Sequence, residues 1–65
     1  MAETGRNVIL EFQTIGNSVK VTAIDPVTLV EVSVVGSASA GEQALGRVAV
    51  QKLEYVLAKR RGGNK

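Results

Sequence analysis

Two alternating segments separated by a Gly-Asn pair constrain the fold of this chain more than any other feature. Apolar residues recur at every second position from Val8 to Thr14 and again from Ser18 to Asp25. This period of two is typical of strands that bury one face. Gly16 followed by Asn17 suits a type II′ or I′ turn between antiparallel strands. A phosphate-binding loop would instead join a strand to a helix, so we predict a hairpin corner.

The register of this hairpin follows from placing Gly16 and Asn17 at the centre of the turn. Ile15 then faces Ser18, and apolar residues face apolar residues along both strands. A slip of one residue would move every side chain to the opposite face of the sheet. The predicted pairs are Phe12 with Val21, Leu10 with Ala23, and Ile9 with Ile24.

A second corner follows at Asp25-Pro26, a dipeptide that favours a turn. If Asp25 pairs with Val30, the loop has four residues and a third strand runs roughly from Val30 to Val35. Such a loop usually ends in a residue with positive φ, a position that favours Gly or Asn. Leu29 occupies this position, so we expect a strained backbone there.

The C-terminal half has the pattern of one helix. Ser39 followed three residues later by Glu42 predicts a capping box at its start, and Gly62 predicts its end. Gly46 lies near the apolar arc, which indicates a close contact between helix and sheet. The apolar residues expected to pack on the sheet are Leu45, Val48, Ala49, Leu53, Val56 and Leu57.

The order of elements predicts an α+β fold, a three-stranded antiparallel β-meander with one C-terminal helix packed on one face (βββα). Sixty-five residues allow a single small domain, residues 1–65, with an ordered core at about 7–61 and frayed ends at 1–6 and 62–65. No apolar run approaches the roughly 20 residues of a membrane span. We therefore expect a cytoplasmic protein with no membrane partner.

The composition argues against catalysis. The chain has neither cysteine nor histidine, which excludes disulfides, thiolate metal sites and imidazole bases. Glu11 and Glu31 are predicted on the outer sheet face, on the two edge strands, but solvated carboxylates are far commoner there than an acid–base pair. We expect no enzyme, no cofactor and no metal.

The positive charge is concentrated at the C-terminus. Half of the eight basic residues lie in the last seven positions, so the other four face six acidic residues and leave that part at −2. A basic cluster is a possible nucleic-acid contact, although basic residues in a last helical turn also complement the helix dipole. These residues are Lys59, Arg60, Arg61 and Lys65.

Apolar residues beyond the needs of one core predict a protein interface. The helix is apolar over an arc of roughly 200°, wider than the stripe a surface helix usually buries. The favoured function is a non-enzymatic module that pairs with itself, most simply as a homodimer, or with an unknown protein. The alternative is a nucleic-acid-binding accessory protein that uses the basic tail. The candidate interface residues are Val50 and Leu57, with Tyr55, and second the face of Ile9 and Ile24.

Three strings carry a resemblance to a known family: "EF..IGN.V.V.AIDP.T", "EVSVVG" and "VAVQKLEYVLAKR". Together they resemble a family of short uncharacterised bacterial proteins, a domain of unknown function. In that family the position of Leu29 is often Gly, so this chain departs there. The resemblance covers nearly the whole chain and implies no activity, cofactor or site.

Overall fold

The fold is an antiparallel sheet followed by one long helix. The computed structural model describes residues 7–62. The sheet has the strand order β1-β2-β3, and a single 3-10 turn precedes the helix, which confirms the predicted βββα fold. The predicted frayed ends lie outside the described residues except for Gly62, with which the helix ends. The elements are β1 (Ile9–Ile15), β2 (Ser18–Ile24), β3 (Glu31–Ser37), the 3-10 turn (Ala38–Ala40) and α1 (Glu42–Gly62).

The first hairpin has the predicted register. Ile15 pairs with Ser18 and Phe12 pairs with Val21, and the pairing continues to Ile9 and Ile24. Gly16 has a φ of 60°, whereas Asn17 is not among the described residues with positive φ. Of the two turns that suit a two-residue hairpin, this combination is type II′.

The second corner is held by a buried carboxylate. Asp25 donates its N–H to the Val30 carbonyl at 2.9 Å and is only 3% exposed. Its Oδ1 accepts from the Val27 N–H at 3.0 Å, and its Oδ2 accepts from the Thr28 hydroxyl at 3.1 Å. Leu29 has a φ of 67°, as the loop length predicts.

The core lies between α1 and the inner face of β2 and β3, because the helix lies over these two strands and reaches β1 only weakly. Glycine allows this close approach at two places. A Cβ at Gly36 would lie 2.5 Å from Cδ2 of Leu45, and one at Gly46 would lie 3.3 Å from Cδ1 of Leu10. The buried apolar residues are Val19, Val21, Ala23, Leu45, Ala49, Leu53 and Leu57.

The position of the helix corrects three predictions. Phe12, which the alternation of β1 places on the inner face, is 39% exposed, because α1 lies mainly over β2 and β3 and approaches the Phe12 ring only at Gly46. Val48 was expected on the sheet but is 49% exposed, at one margin of an apolar arc too wide for one sheet to cover. Leu57 was expected both to pack on the sheet and to border the interface flank. It is 6% exposed and belongs to the core, which confirms the first expectation and removes Leu57 from the candidate interface.

The predicted capping box is wrong. Ser39 lies inside the 3-10 turn, where its N–H donates to the Ser37 Oγ at 3.2 Å. The helix begins later, at Glu42, and the Leu45 N–H donates to the Gly41 carbonyl at 3.2 Å. Gly41 has a φ of 90°, so the chain turns there from the edge of the sheet onto its face.

In the part of the chain that the structure describes, α1 is too polar to qualify as a membrane-spanning helix.

Candidate protein-interaction site

The uncovered inner face of β1 and the adjoining side of α1 form an open groove of about 660 Å³. Leu10 and Phe12 line it from the sheet, and Gly46 and Val50 line it from the helix. The groove exists because α1 lies mainly over β2 and β3 and, among the described residues, approaches the inner face of β1 closely only at Gly46. Its apolar lining is continuous with the core, where Leu10 packs against the buried cluster.

The helix side of the groove carries polar residues of both charge signs. Glu42 and Glu54 are acidic, and Arg47 lies between them along the helix. Arg47 is exposed. Gln43 and Gln51 complete the lining. The site is therefore an apolar floor beside a polar rim, the arrangement typical of protein interfaces.

The two edges of the sheet differ in how they are protected. At β3, Lys52 reaches from α1 and its Nζ donates to the Ser33 carbonyl at 3.2 Å. A lysine over an edge carbonyl hinders the pairing of another strand. Among residues 7–62, no side chain makes a comparable hydrogen bond to the backbone of β1.

The backbone groups at the open edge of β1 can be assigned from the turn. In a two-residue hairpin the flanking residues, Ile15 and Ser18, form a hydrogen-bonded pair, and such pairs then alternate along the strands. The odd-numbered residues of β1 thus bond to β2. The even-numbered residues, Leu10, Phe12 and Thr14, direct their N–H and C=O groups to the open edge. Leu10 and Phe12 also line the groove, so the groove and the unpaired backbone adjoin.

The predicted interface residues do not lie together on one surface. Val50 is half-buried in the groove, whereas Leu57 lies in the core. Tyr55 is exposed, and the Lys59 Nζ lies 5.5 Å from its ring centroid, a cation–π contact within α1. Ile9 and Ile24 pair directly, as expected, with Ile9 the more exposed. Sequence reasoning did not place Phe12 at a surface.

The candidate nucleic-acid residues lie at the end of α1. Lys59 and Arg60 are exposed, and Arg61 belongs to the last turn of the helix. Lys65 lies outside the described residues. Lys59 contacts Tyr55, so at least this cation has a partner within its own helix.

The two candidate carboxylates are not brought together. Glu11 pairs with Thr22, while Glu31 pairs with Ile24, and β2 separates their strands. Two strand spacings amount to about 10 Å. Within residues 7–62, no three potential metal-ligating side chains form a group.

Comparison with protein families assigns the chain to one family. The model of a family described as a domain of unknown function (DUF6898) matches residues 5–60. The chain belongs to this family. The matched residues include all three strands and almost the whole helix. No curated protein and no solved structure matches the chain.

Proposed function

We propose that this domain is a non-enzymatic protein-interaction module whose partner is a second copy of the chain. One observation carries the proposal: the apolar face of β1, which α1 covers only in part, lies beside a strand edge that no described side chain caps. Either feature alone is common on protein surfaces. Their coincidence on one strand favours an interface. The proposed setting is the cytoplasm of a bacterial cell.

A second copy suits this surface because the rim complements itself. Two-fold symmetry brings a surface patch against the same patch of the partner. A patch with only acidic or only basic groups would then repel itself, whereas this rim contains Arg47 together with Glu42 and Glu54. In a two-fold assembly the guanidinium of one protomer would therefore face a surface that contains carboxylates.

The size of the domain also favours association. A chain of this length buries a smaller share of its surface than larger domains do, so its core is thin. The domain exposes 4460 Å². A standard interface would cover about 800 Å² of each protomer. Burial of Phe12 and Leu10 in the interface would extend the core across β1.

Light scattering tests this proposal. We expect the mass to rise from monomer to dimer between about 10 and 300 µM chain, since small interfaces give dissociation constants in this range. Phe12→Ser should weaken association at least tenfold, because it removes the largest exposed apolar side chain of the groove. Val35→Ser is the matched control, since Val35 is exposed on β3 and does not line the groove. A monomeric mass of the unmodified chain at every concentration would overturn the proposal.

A further inference from the structure

We infer that the dimer forms by antiparallel pairing of the two β1 strands along their open edges, with Phe12 on the two-fold axis. This inference rests on the proposed self-association and specifies its geometry. The two three-stranded sheets would join into one sheet of six strands. The N–H and C=O groups of Leu10, Phe12 and Thr14 would then be paired with those of the partner.

The length of β1 defines the register. The strand has seven residues, Ile9–Ile15, so full overlap of two antiparallel copies places the central residue, Phe12, opposite itself. No facing pair in this register brings like charges together: Ile9 faces the β-branched Ile15, and the Glu11 carboxylate faces the Gln13 amide. The cross-dimer pairs are Ile9 with Ile15, Leu10 with Thr14, Glu11 with Gln13, and Phe12 with Phe12.

The neighbouring registers are less favourable. Even-numbered residues of one β1 strand must lie opposite even-numbered residues of the other, because only these have N–H and C=O groups at the open edge. The nearest alternative registers therefore place the two-fold axis one residue away, at Glu11 or at Gln13. An axis at Glu11 places two carboxylates directly opposite each other, and like charges in this position are destabilising. An axis at Gln13 places Glu11 opposite Ile15 and shortens the overlap. The register centred on Phe12 avoids both faults.

The position of the helices allows this pairing. A two-fold axis perpendicular to the sheet keeps both helices on the same face, each over β2 and β3 of its own protomer. The helices would then lie about 19 Å apart, four strand spacings, with a gap of about 9 Å between helices of roughly 10 Å diameter. The two grooves would merge in this gap, which the Phe12 and Leu10 side chains of both protomers would occupy. Arg47 would face the partner's helix across it.

The β3 edge is a poorer choice for the same pairing. Lys52 bonds the Ser33 carbonyl there, and a partner strand would have to displace it. In addition, α1 covers the inner face of β3, so pairing along β3 would bury less new apolar surface. The edge that no described side chain caps and the face that α1 covers only in part both belong to β1.

Cross-linking of cysteine variants tests the register, and the natural chain contributes no cysteine of its own. In the proposed dimer, Glu11 and Gln13 of opposite protomers are a non-hydrogen-bonded pair with Cα atoms about 4.5 Å apart, within the range of a disulfide. Two copies of Glu11 lie about 8 Å apart, beyond that range. Both side chains are exposed, so neither substitution disturbs the core.

Purified Glu11→Cys and Gln13→Cys chains should be oxidised in a glutathione buffer, separately and as an equimolar mixture, and analysed by mass spectrometry. We expect the mixture to form at least ten times more heterodimeric disulfide than either variant forms homodimer. Ser33→Cys mixed with Val35→Cys is the control on the β3 edge and should remain unlinked.

Each of the other outcomes would overturn one specific claim: the register, the pairing along β1, or self-association itself. Efficient cross-linking of Glu11→Cys with itself would show an axis at Glu11 and overturn the register. Cross-linking of the β3 control alone, or no cross-linking in a protein that light scattering shows to be dimeric, would overturn the pairing of β1 and leave self-association intact. A monomer in light scattering would overturn both.

Discussion

At the residue scale, the loop between β2 and β3 contains one residue that stabilises it, Asp25, and one with an unfavourable backbone conformation, Leu29. Asp25 satisfies the loop backbone with its own carboxylate, which accepts from the Val27 N–H and from the Thr28 hydroxyl. The Leu29 N–H donates to the Asp25 carbonyl at 2.7 Å, but the Leu29 side chain is 74% exposed and the backbone has a φ of 67°. A left-handed backbone costs a residue with a Cβ roughly 1–2 kcal/mol. The loop therefore contains a local strain that its side chain does not offset by burial.

Leu29→Gly should leave the free energy of unfolding unchanged or raise it by up to about 1 kcal/mol. Glycine removes the steric cost of positive φ, although it increases the entropy of the unfolded chain. Urea denaturation monitored by circular dichroism measures the change. Leu29→Ala is the control, because it removes the same side-chain contacts and keeps the unfavourable φ. A loss of more than about 1 kcal/mol for glycine would show that Leu29 contributes by packing.

At the element scale, the turn at Gly16 and Asn17 and the placement of α1 have different origins. The turn is local, since two residues with a suitable φ determine the pairing of both strands. The helix is placed by contacts that are distant in sequence, such as Leu45 on Gly36 and Leu10 on Gly46. These contacts hold α1 over β2 and β3.

Exchanging Gly16 and Asn17 to Asn-Gly should preserve the fold and cost under about 1 kcal/mol, because Asn-Gly forms a type I′ turn with the same register. Gly16→Val should cost more, roughly 1–2 kcal/mol, since a side chain with a Cβ is disfavoured at positive φ. A Cβ at Gly16 would meet no atom within 4 Å, so this cost is conformational. Urea denaturation compares the two variants. A folded Asn-Gly variant that no longer associates would place the corner in the interaction site.

At the scale of the whole molecule, the one helix covers the inner faces of β2 and β3 more fully than that of β1. Phe12 is 39% exposed as a result, although its position in β1 makes it an inward-facing residue. A single helix covers only part of the inner face of this three-stranded sheet. Association with a second copy would complete the layer, so stability and assembly should be linked.

The thermal unfolding midpoint should therefore rise with chain concentration. For a dimer of this size we expect about 5 °C for each tenfold increase, since dissociation on unfolding makes the midpoint depend on mass action. Differential scanning calorimetry at about 10 to 1000 µM measures it, and Phe12→Ser should remove most of the dependence. A midpoint that is constant over this range would contradict a dimer coupled to folding.

The sequence alone determined the hairpins and their register. Alternation identified the faces, Gly16 and Asn17 located the first corner, and the loop length predicted the positive φ of Leu29. These features depend on neighbouring residues, and for that reason they are legible in the sequence. The family assignment likewise follows from the sequence, since its model matches residues 5–60.

Only the tertiary structure decided where the helix lies on the sheet. The alternation of β1 places Phe12 on an apolar face, and the helical period of α1 does the same for Val48 and Leu57. Neither pattern shows which of these residues the other layer covers. That choice depends on the depth at which Leu45 rests on Gly36 and on the space beside Gly46, which are contacts between distant segments. They bury Leu57 and leave Phe12 open. The candidate site exists because of this offset, which local sequence patterns do not encode.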